Sequence, residues 1–527
     1  MFLRRVAAGA ALIGAGGGVR APAGEASSVA GQEGDRENRA YRVRTDAAKL
    51  ARQRPPVSHP TNGDEARYDT KIGSYSKGLP HDVLGEVDRG AYQALTRALT
   101  TGRPADFEAI PLGLGRKLTN PQAGLAFDLE GPDSHHLSMR AAPSIASAEA
   151  AAELGELYWM ALARDVYFGD YGSDAVIADA AADLSRFRDF RAPRQGERIG
   201  PDTIFRGATD GDLIGPYLSQ FLWLDITMGA MSIPQRMRTA MPDIDYMTDY
   251  DDWLDVQNGF EPHGYALDPT PRYIRNLRDL GEWVHVDALY QAYHQACLIL
   301  LGMGAPFGPG NPYVAAATQI GFGTFGGPHV LSLVTEVATR ALKAVWYQKW
   351  LVHRRLRPEA LAGLVHHTLS GRPRYPVHSE ILHSDAVEAV ASRHGSYLLP
   401  MAAPEGCPTH PAYGAGHATV AGACVTILKA WFDESFVLPA PVIPDRTGTS
   451  LLAYTGATLT VRNELNKLAS NVAIGRNAMG FHYRSDCSES LKLGEDLAIG
   501  ILEEQKSGYN EDATFTFTRF DGRVITI

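Results

Sequence analysis

Three short clusters in the second half of this 527-residue chain hold residue types suited to gripping a tetrahedral oxyanion. They are Lys349 with Arg357-Pro358, then Gly414-Ala415-Gly416-His417, then Arg476 followed by Gly480-Phe481-His482. Lysine and arginine bring charge-assisted donors, a glycine-flanked turn brings backbone N–H groups, and histidines can bond a central atom or carry protons. Ala415 is the odd member, because it adds no side-chain donor.

Each cluster falls where a helix should begin or end. Apolar residues at helical spacing (Val330, Leu333, Val334, Val337, Leu342, Val345) predict one long helix over 329–357, closed by Pro358. Eight positions of ideal helix leave Lys349 and Arg357 about 80° apart. Arg357 precedes a proline and is pushed extended, so its guanidinium can swing back towards the Lys349 ammonium.

The second cluster closes a Pro- and Gly-rich loop, Pro408-Thr409-His410-Pro411-Ala412-Tyr413, that runs into a helix predicted from His417 to about Phe432. Free N–H groups and partial positive charge at a helix start hold oxyanions readily. His410 lies on the same loop and can share the cavity. In the third cluster Gly480 permits a bend that turns Arg476 and His482 towards one pocket. Asp486 can orient a ring nitrogen of His482 or cap the next helix. Taken singly, each cluster has a plainer reading: a solvated basic helix end around Arg354-Arg355, a structural loop histidine, a capping aspartate.

The remaining chain supplies a mainly helical frame. Helices are predicted over 145–167, 174–187, 212–225, 270–302 and 450–476. Strand signals gather only at the end, where Thr514 to Phe520 and Arg523 to Ile527 alternate around Asp521-Gly522, a hairpin pattern. The division expected is a leader and flexible arm over 1–64, an N-terminal helical region over 65–280, a helical bundle carrying the site over 281–509, and a β-hairpin over 510–527. Within the arm, Arg4-Arg5, the short apolar run of residues 6–18, and small residues at Ala21, Ala23, Ser28 and Ala30 resemble an export signal; a disordered, cytoplasmic tail is the alternative.

Composition narrows the class. Forty-five per cent hydrophobic and 21 per cent charged residues, with a mean hydropathy of −0.18, describe a soluble globular chain. No internal apolar run reaches the roughly 18 residues of a membrane span. A formal charge of −10 argues against nucleic acid, so an anion site must be positive only locally. Cys297, Cys407, Cys424 and Cys487 have neither zinc-finger nor disulfide-framework spacing and read as buried thiols.

In this order, at intervals of about 60 residues, the clusters resemble the vanadium-dependent haloperoxidases and their relatives among the acid and lipid phosphatases. The wording of His353-Arg354-Arg355-Leu356-Arg357-Pro358-Glu359-Ala360, Pro408-Thr409-His410-Pro411 and Gly475-Arg476-Asn477 to His482-Tyr483-Arg484-Ser485-Asp486 is most similar to the algal bromoperoxidase branch. So is the eight-residue interval from Lys349 to Arg357. The resemblance runs over about residues 281–494, more weakly back to Gly78.

It implies a mainly α fold of packed helical bundles and a vanadate cofactor, one per subunit. His482 would bond vanadium, Lys349, Arg357 and Arg476 would neutralise the equatorial oxygens, and the Gly416 N–H would donate to one of them. His417 would hold the other apical oxygen and take a proton as peroxide binds, while Lys349 would polarise the bound peroxide. His410 would sit beside the peroxide or halide, and Asp287 matches an upstream carboxylate that pairs with the arginines. Hydrogen peroxide, halide (bromide or iodide) and a small organic acceptor are the implied partners, and a homo-oligomer the implied assembly. Gln348, His410 and Trp350 would tune the oxidising power. Ala415 and Gly414 depart from the pattern, which has Ser and Pro there. A phosphatase with His482 as nucleophile, or a helical anion-binding protein that has lost catalysis, are the alternatives.

Overall fold

The computed structural model describes residues 26–527, with side chains from residue 34 onward. The leader-like run of residues 6–18 therefore lies outside the described residues. In place of the flexible arm expected next, Ala26–Gln53 forms one 28-residue helix, α1, exposed along most of its length.

The helices that build or flank the site are, in chain order after α1, α2 (Ala148–Leu162), α3 (Leu277–His285), α4 (Gln291–Gly302), α5 (Gly327–Tyr347), α6 (Pro358–Leu369), α7 (Gly416–Trp431), α8 (Val461–Ala478) and α9 (Arg484–Lys506). Helix α7 is the centre, packed by α5, α8 and α9, with α3 lying against α8. Its sequence explains that place. Fifteen of its 16 residues are buried, His417 being the exception, as expected of a helix apolar on every side. Small residues then let the neighbours close in: a Cβ on Gly422 would run into the Leu491 carbonyl of α9, and one on Gly494 into the Thr419 carbonyl of α7. Truncating a central apolar side chain such as Leu428 to alanine should cost about 2–5 kcal/mol.

Several predicted elements end elsewhere than expected. The long helix stops at Tyr347 and continues as one wide π-type turn, Gln348–His353, before Arg354 turns left-handed at φ 41°. The 270–302 helix is two, parted by a turn holding Val286 to Tyr290. No helix forms over 212–225 beyond a short turn at Gln220–Leu222, because Gly215 takes a positive φ and Pro216 follows it. The 450–476 helix begins only at Val461, where the Thr460 side chain accepts the Asn463 N–H as N-cap, while Leu451–Ala453 is a strand.

Among the described residues three antiparallel hairpins are present: β1 (Ile226–Met228) with β2 (Met231–Ile233), β3 (Val442–Pro444) with β4 (Leu451–Ala453), and β5 (Thr516–Thr518) with β6 (Val524–Thr526). The last is the C-terminal hairpin the alternation predicts; the first two carry no such signal. All four cysteines are free and buried. Among the described residues no helix is long and apolar enough to cross a membrane.

Candidate active site

The wide turn after α5 places Lys349 fully inside the protein, where its Nζ donates to the Pro411 carbonyl at 2.7 Å and the Ala412 carbonyl at 3.2 Å. π-type turns of this kind recur at functional sites because they re-aim one side chain without ending the helix. Arg357 is extended, φ −76° and ψ 154°, as a residue before proline should be. It joins all three clusters. Its Nε donates to the His410 carbonyl (2.8 Å), Nη1 to the Phe481 carbonyl (2.7 Å) and towards His482 Nε2 (3.1 Å), and Nη2 towards His410 Nδ1 (2.9 Å).

Arg476 closes the cage from the last turn of α8. Its Nη1 donates to the Val284 carbonyl at 2.7 Å, its guanidinium lies 4.6 Å from the Phe481 ring centre, and its buried Nε has no partner among the described residues. Gly480, at φ 84°, makes the bend that returns the chain to His482. There Asp486 performs both roles open to it: Oδ2 accepts from His482 Nδ1 (2.9 Å) and caps α9 by accepting the Tyr483 N–H (3.1 Å). With Nδ1 donating, Nε2 of His482 carries the ring's lone pair, which here accepts the Arg357 Nη1 N–H.

Gly416 and His417 start α7 directly after the loop whose carbonyls Lys349 and Arg357 bind, and the Arg476 and Lys349 charges both act on the His417 ring, so the free amides of the first turn lie at the cage end of the helix. Ala415, the N-cap residue, offers no side-chain cap. His417 Nε2 bonds Asp287 Oδ1 at 2.8 Å. The expected arginine partnership of Asp287 is only indirect: among the described residues its close ion pair is with His417, and its charge acts on Arg476 from farther away.

Electrostatics set this place apart. Lys349, Arg357 and Arg476 are 0, 1 and 6 % exposed, and among the described residues none has a carboxylate within ion-pair distance. Buried charge without a counter-charge is costly, so the cage calls for an anion. Burial, then the Arg357 charge, pushes Lys349 well below the usual lysine range, and burial brings Arg476 down to about 10. Burial followed by the neighbouring cations also holds His410 and His482 well below ordinary imidazole values. Burial lowers His417 too, against an opposing push from Asp287. All three rings are therefore neutral near pH 7 and able to accept a proton or donate a lone pair. Among the described residues no three His, Cys, Asp or Glu side chains converge as a metal-cation site would require.

Known proteins show the family of the chain. The family model for the VCPO second helical-bundle domain matches residues 329–511. The vanadium-dependent bromoperoxidase of Corallina pilulifera is 40% identical across 93% of this chain and 98% of its own length, and that of Ascophyllum nodosum 37% across 94% and 92%. The chain belongs to the vanadium-dependent haloperoxidases, in their bromoperoxidase branch. The homohexameric structure of the second vanadate-dependent bromoperoxidase of Ascophyllum nodosum superposes with a TM-score of 0.90 at 31% identity, covering 93% of this chain and 90% of that one. Kinship thus extends well beyond residues 281–494.

For a haloperoxidase the tuning residues also need revision. Trp350 packs edge-on to Tyr75, ring centres 5.6 Å apart, in a separate small core, and Gln348 donates to the Leu137 carbonyl at 2.7 Å. The tryptophan at the cage is Trp346, its ring 4.8 Å from His410 and 5.6 Å from Lys349 Nζ. Its spacing of three from Lys349 was the available signal, since such residues share a helix face. Sequence reading also missed the buried brace under the His410 loop: Glu359 accepts from Lys77 Nζ at 2.7 Å, Gln257 Nε2 at 3.1 Å and the Cys407 N–H at 2.7 Å.

Proposed function

We propose that this haloperoxidase holds one vanadate per chain in the cage and uses hydrogen peroxide to oxidise bromide or iodide to hypohalous acid, which halogenates small organic acceptors. The observation that carries the reading is the trio of buried cations, none with a carboxylate within ion-pair distance among the described residues, so that only the more distant Asp287 and Asp486 charges offset them. The donor set suits an oxyanion with an expandable central atom: three cations, helix-start amides and one neutral imidazole nitrogen. Bound vanadate supplies a Lewis-acidic centre at which peroxide becomes electrophilic towards halide.

The protein's own groups do the rest. Lys349, Arg357 and Arg476 would neutralise the charge of the bound oxyanion, and the Gly416 N–H would donate to one of its oxygens. His482, its tautomer held by Asp486, would offer the Nε2 lone pair to vanadium once the Arg357 Nη1 N–H turns from it to the anion. His417, anchored through Nε2 by Asp287, has Nδ1 free to take the proton that peroxide gives up on binding. Lys349 keeps one N–H unused by the 411 and 412 carbonyls, and directs it at the oxygen that reacts with halide. His410 with Trp346 borders the halide side. Ala415 leaves one oxygen without a hydroxyl donor.

Bromination of monochlorodimedone with peroxide, with and without orthovanadate, tests the function against hydrolysis of p-nitrophenyl phosphate. Vanadate-dependent bromination is expected; phosphate release without it would reassign the site. The hexameric relative supports a homo-oligomer here, which sedimentation would read directly. Export through the Arg4-Arg5 leader is the matching proposal for location, and loss of extracytoplasmic enzyme in Arg4→Lys/Arg5→Lys would bear it out.

A further inference from the structure

Ser490 is fully buried on α9, and its Oγ accepts the Ala415 N–H at 2.7 Å. Ala415 is the residue from which α7 starts, so this bond ties the loop entering the cage to a second helix. The approach depends on Gly414. A Cβ there would lie 2.6 Å from Ser490 Oγ and 3.0 Å from the Met139 thioether, too close for the hydroxyl to stay. The residues at 414 and 415, both departures from the expected Pro and Ser, thus form one unit with Ser490.

Helix α9 gives that unit its meaning. Asp486 and Ser490 are four residues apart and share a face. Asp486 fixes the ring of His482, and Ser490 fixes the loop that delivers the amide of Gly416. One helix face therefore sets the separation between the two ends of the cage. We propose that Ser490 is a positioning residue for oxyanion binding: it holds the Gly416 amide on the anion, in a chain whose residue 415 has no hydroxyl to do so from within the loop. The proposal rests on reading the cage as the vanadate site.

Orthovanadate titration of the full-length apo-protein tests it, with Ser490→Ala, Gly414→Ala, their double variant, and Ser488→Ala as a control on the same helix. Ser490→Ala should weaken vanadate about tenfold, the loss of one buried hydrogen bond. Its kcat at saturating vanadate and the acid limb of its pH profile should stay unchanged, because Asp287 rather than Ser490 holds His417. Gly414→Ala should weaken binding similarly in the wild-type background and add little to Ser490→Ala, since both break one contact. Ser488→Ala should bind as wild type does. Wild-type binding with an equal affinity in Ser490→Ala would overturn the proposal and leave the cage reading intact. Absence of vanadate binding in the wild type would overturn both. If Ser490→Ala does not fold, Gly414→Ala decides, and normal affinity in that variant would overturn the proposal.

Discussion

Arg355 and Arg357 stand two residues apart, both buried, in opposite electrostatic settings. Arg355 is compensated several times over: Nη1 reaches Asp486 Oδ1 at 2.5 Å, Nη2 reaches Glu153 Oε2 at 2.9 Å, and the guanidinium stacks 3.8 Å from the Tyr483 ring centre. Arg484 nearby is paired with Glu156 in the same manner. Arg357 meets only carbonyls and histidines. A buried cation whose counter-charge comes from the chain is part of the frame; three that converge with no close counter-charge keep a place for an anion. Asp486 touches both regions, one oxygen on Arg355 and the other on His482, so the frame directly orients the ring that faces the anion.

The sharpest way to break that contrast is to neutralise one cation on each side. Arg355→Met strands Glu153 and Asp486 without their partner and should lower apo stability by about 3–5 kcal/mol in a denaturant titration. Arg476→Met removes a buried charge with no carboxylate within ion-pair distance and an unpaired Nε among the described residues, so apo stability should hold or rise. Its vanadate affinity should fall by roughly 10- to 150-fold, the worth of a hydrogen bond to a charged group. Equal destabilisation of both variants would remove the distinction.

Ligand binding should show the same asymmetry. Vanadate at 100 times its Kd should stabilise the wild type by about 2.7 kcal/mol, and at that concentration should do far less for Arg476→Met while still acting on the Glu359→Gln brace variant. A smaller gain is expected from Ala415→Ser, which restores a hydroxyl at the cage: vanadate should bind about five- to tenfold tighter by calorimetry, with halide turnover retained. An unchanged affinity would mean that the donor is supplied from elsewhere.

How much of this could be read from sequence depends on how local each signal is. Lys349, Arg357, the 414–417 loop, Arg476 and His482 each sit in a compact cluster, and their order carried the family and the helical fold. The wide turn at Gln348–His353 has no local signature, and Trp350 came with the resemblance, whereas the cage tryptophan is Trp346, three residues before Lys349 on its helix face. Asp287 was visible as a carboxylate, but its choice of His417 over the arginines is set by the turn between α3 and α4. Ser490 was invisible altogether: a lone serine on α9 acquires meaning only through packing against α7. The false helices at 212–225 and 450–460 failed where Gly215-Pro216 and the Thr460 cap overrode composition.

Protonation gives the finest probe of the cage. His410, His417 and His482 all sit below the ordinary imidazole value of about 6.5, so the unfolded chain binds more protons than the folded one. Apo stability should consequently be full above that value and decline as pH falls through and below it, towards the depressed folded values. Asp287 is the group that pushes His417 back up, against burial. Asp287→Asn should therefore lower His417 further, move the acid limb of bromide oxidation to lower pH, and reduce the plateau rate, because a weaker base takes the peroxide proton less readily. Arg355, on the compensated side, makes no contact with this ring, so Arg355→Lys should leave the limb where it is. A limb that moves to higher pH in Asp287→Asn would show that His417 is not the base.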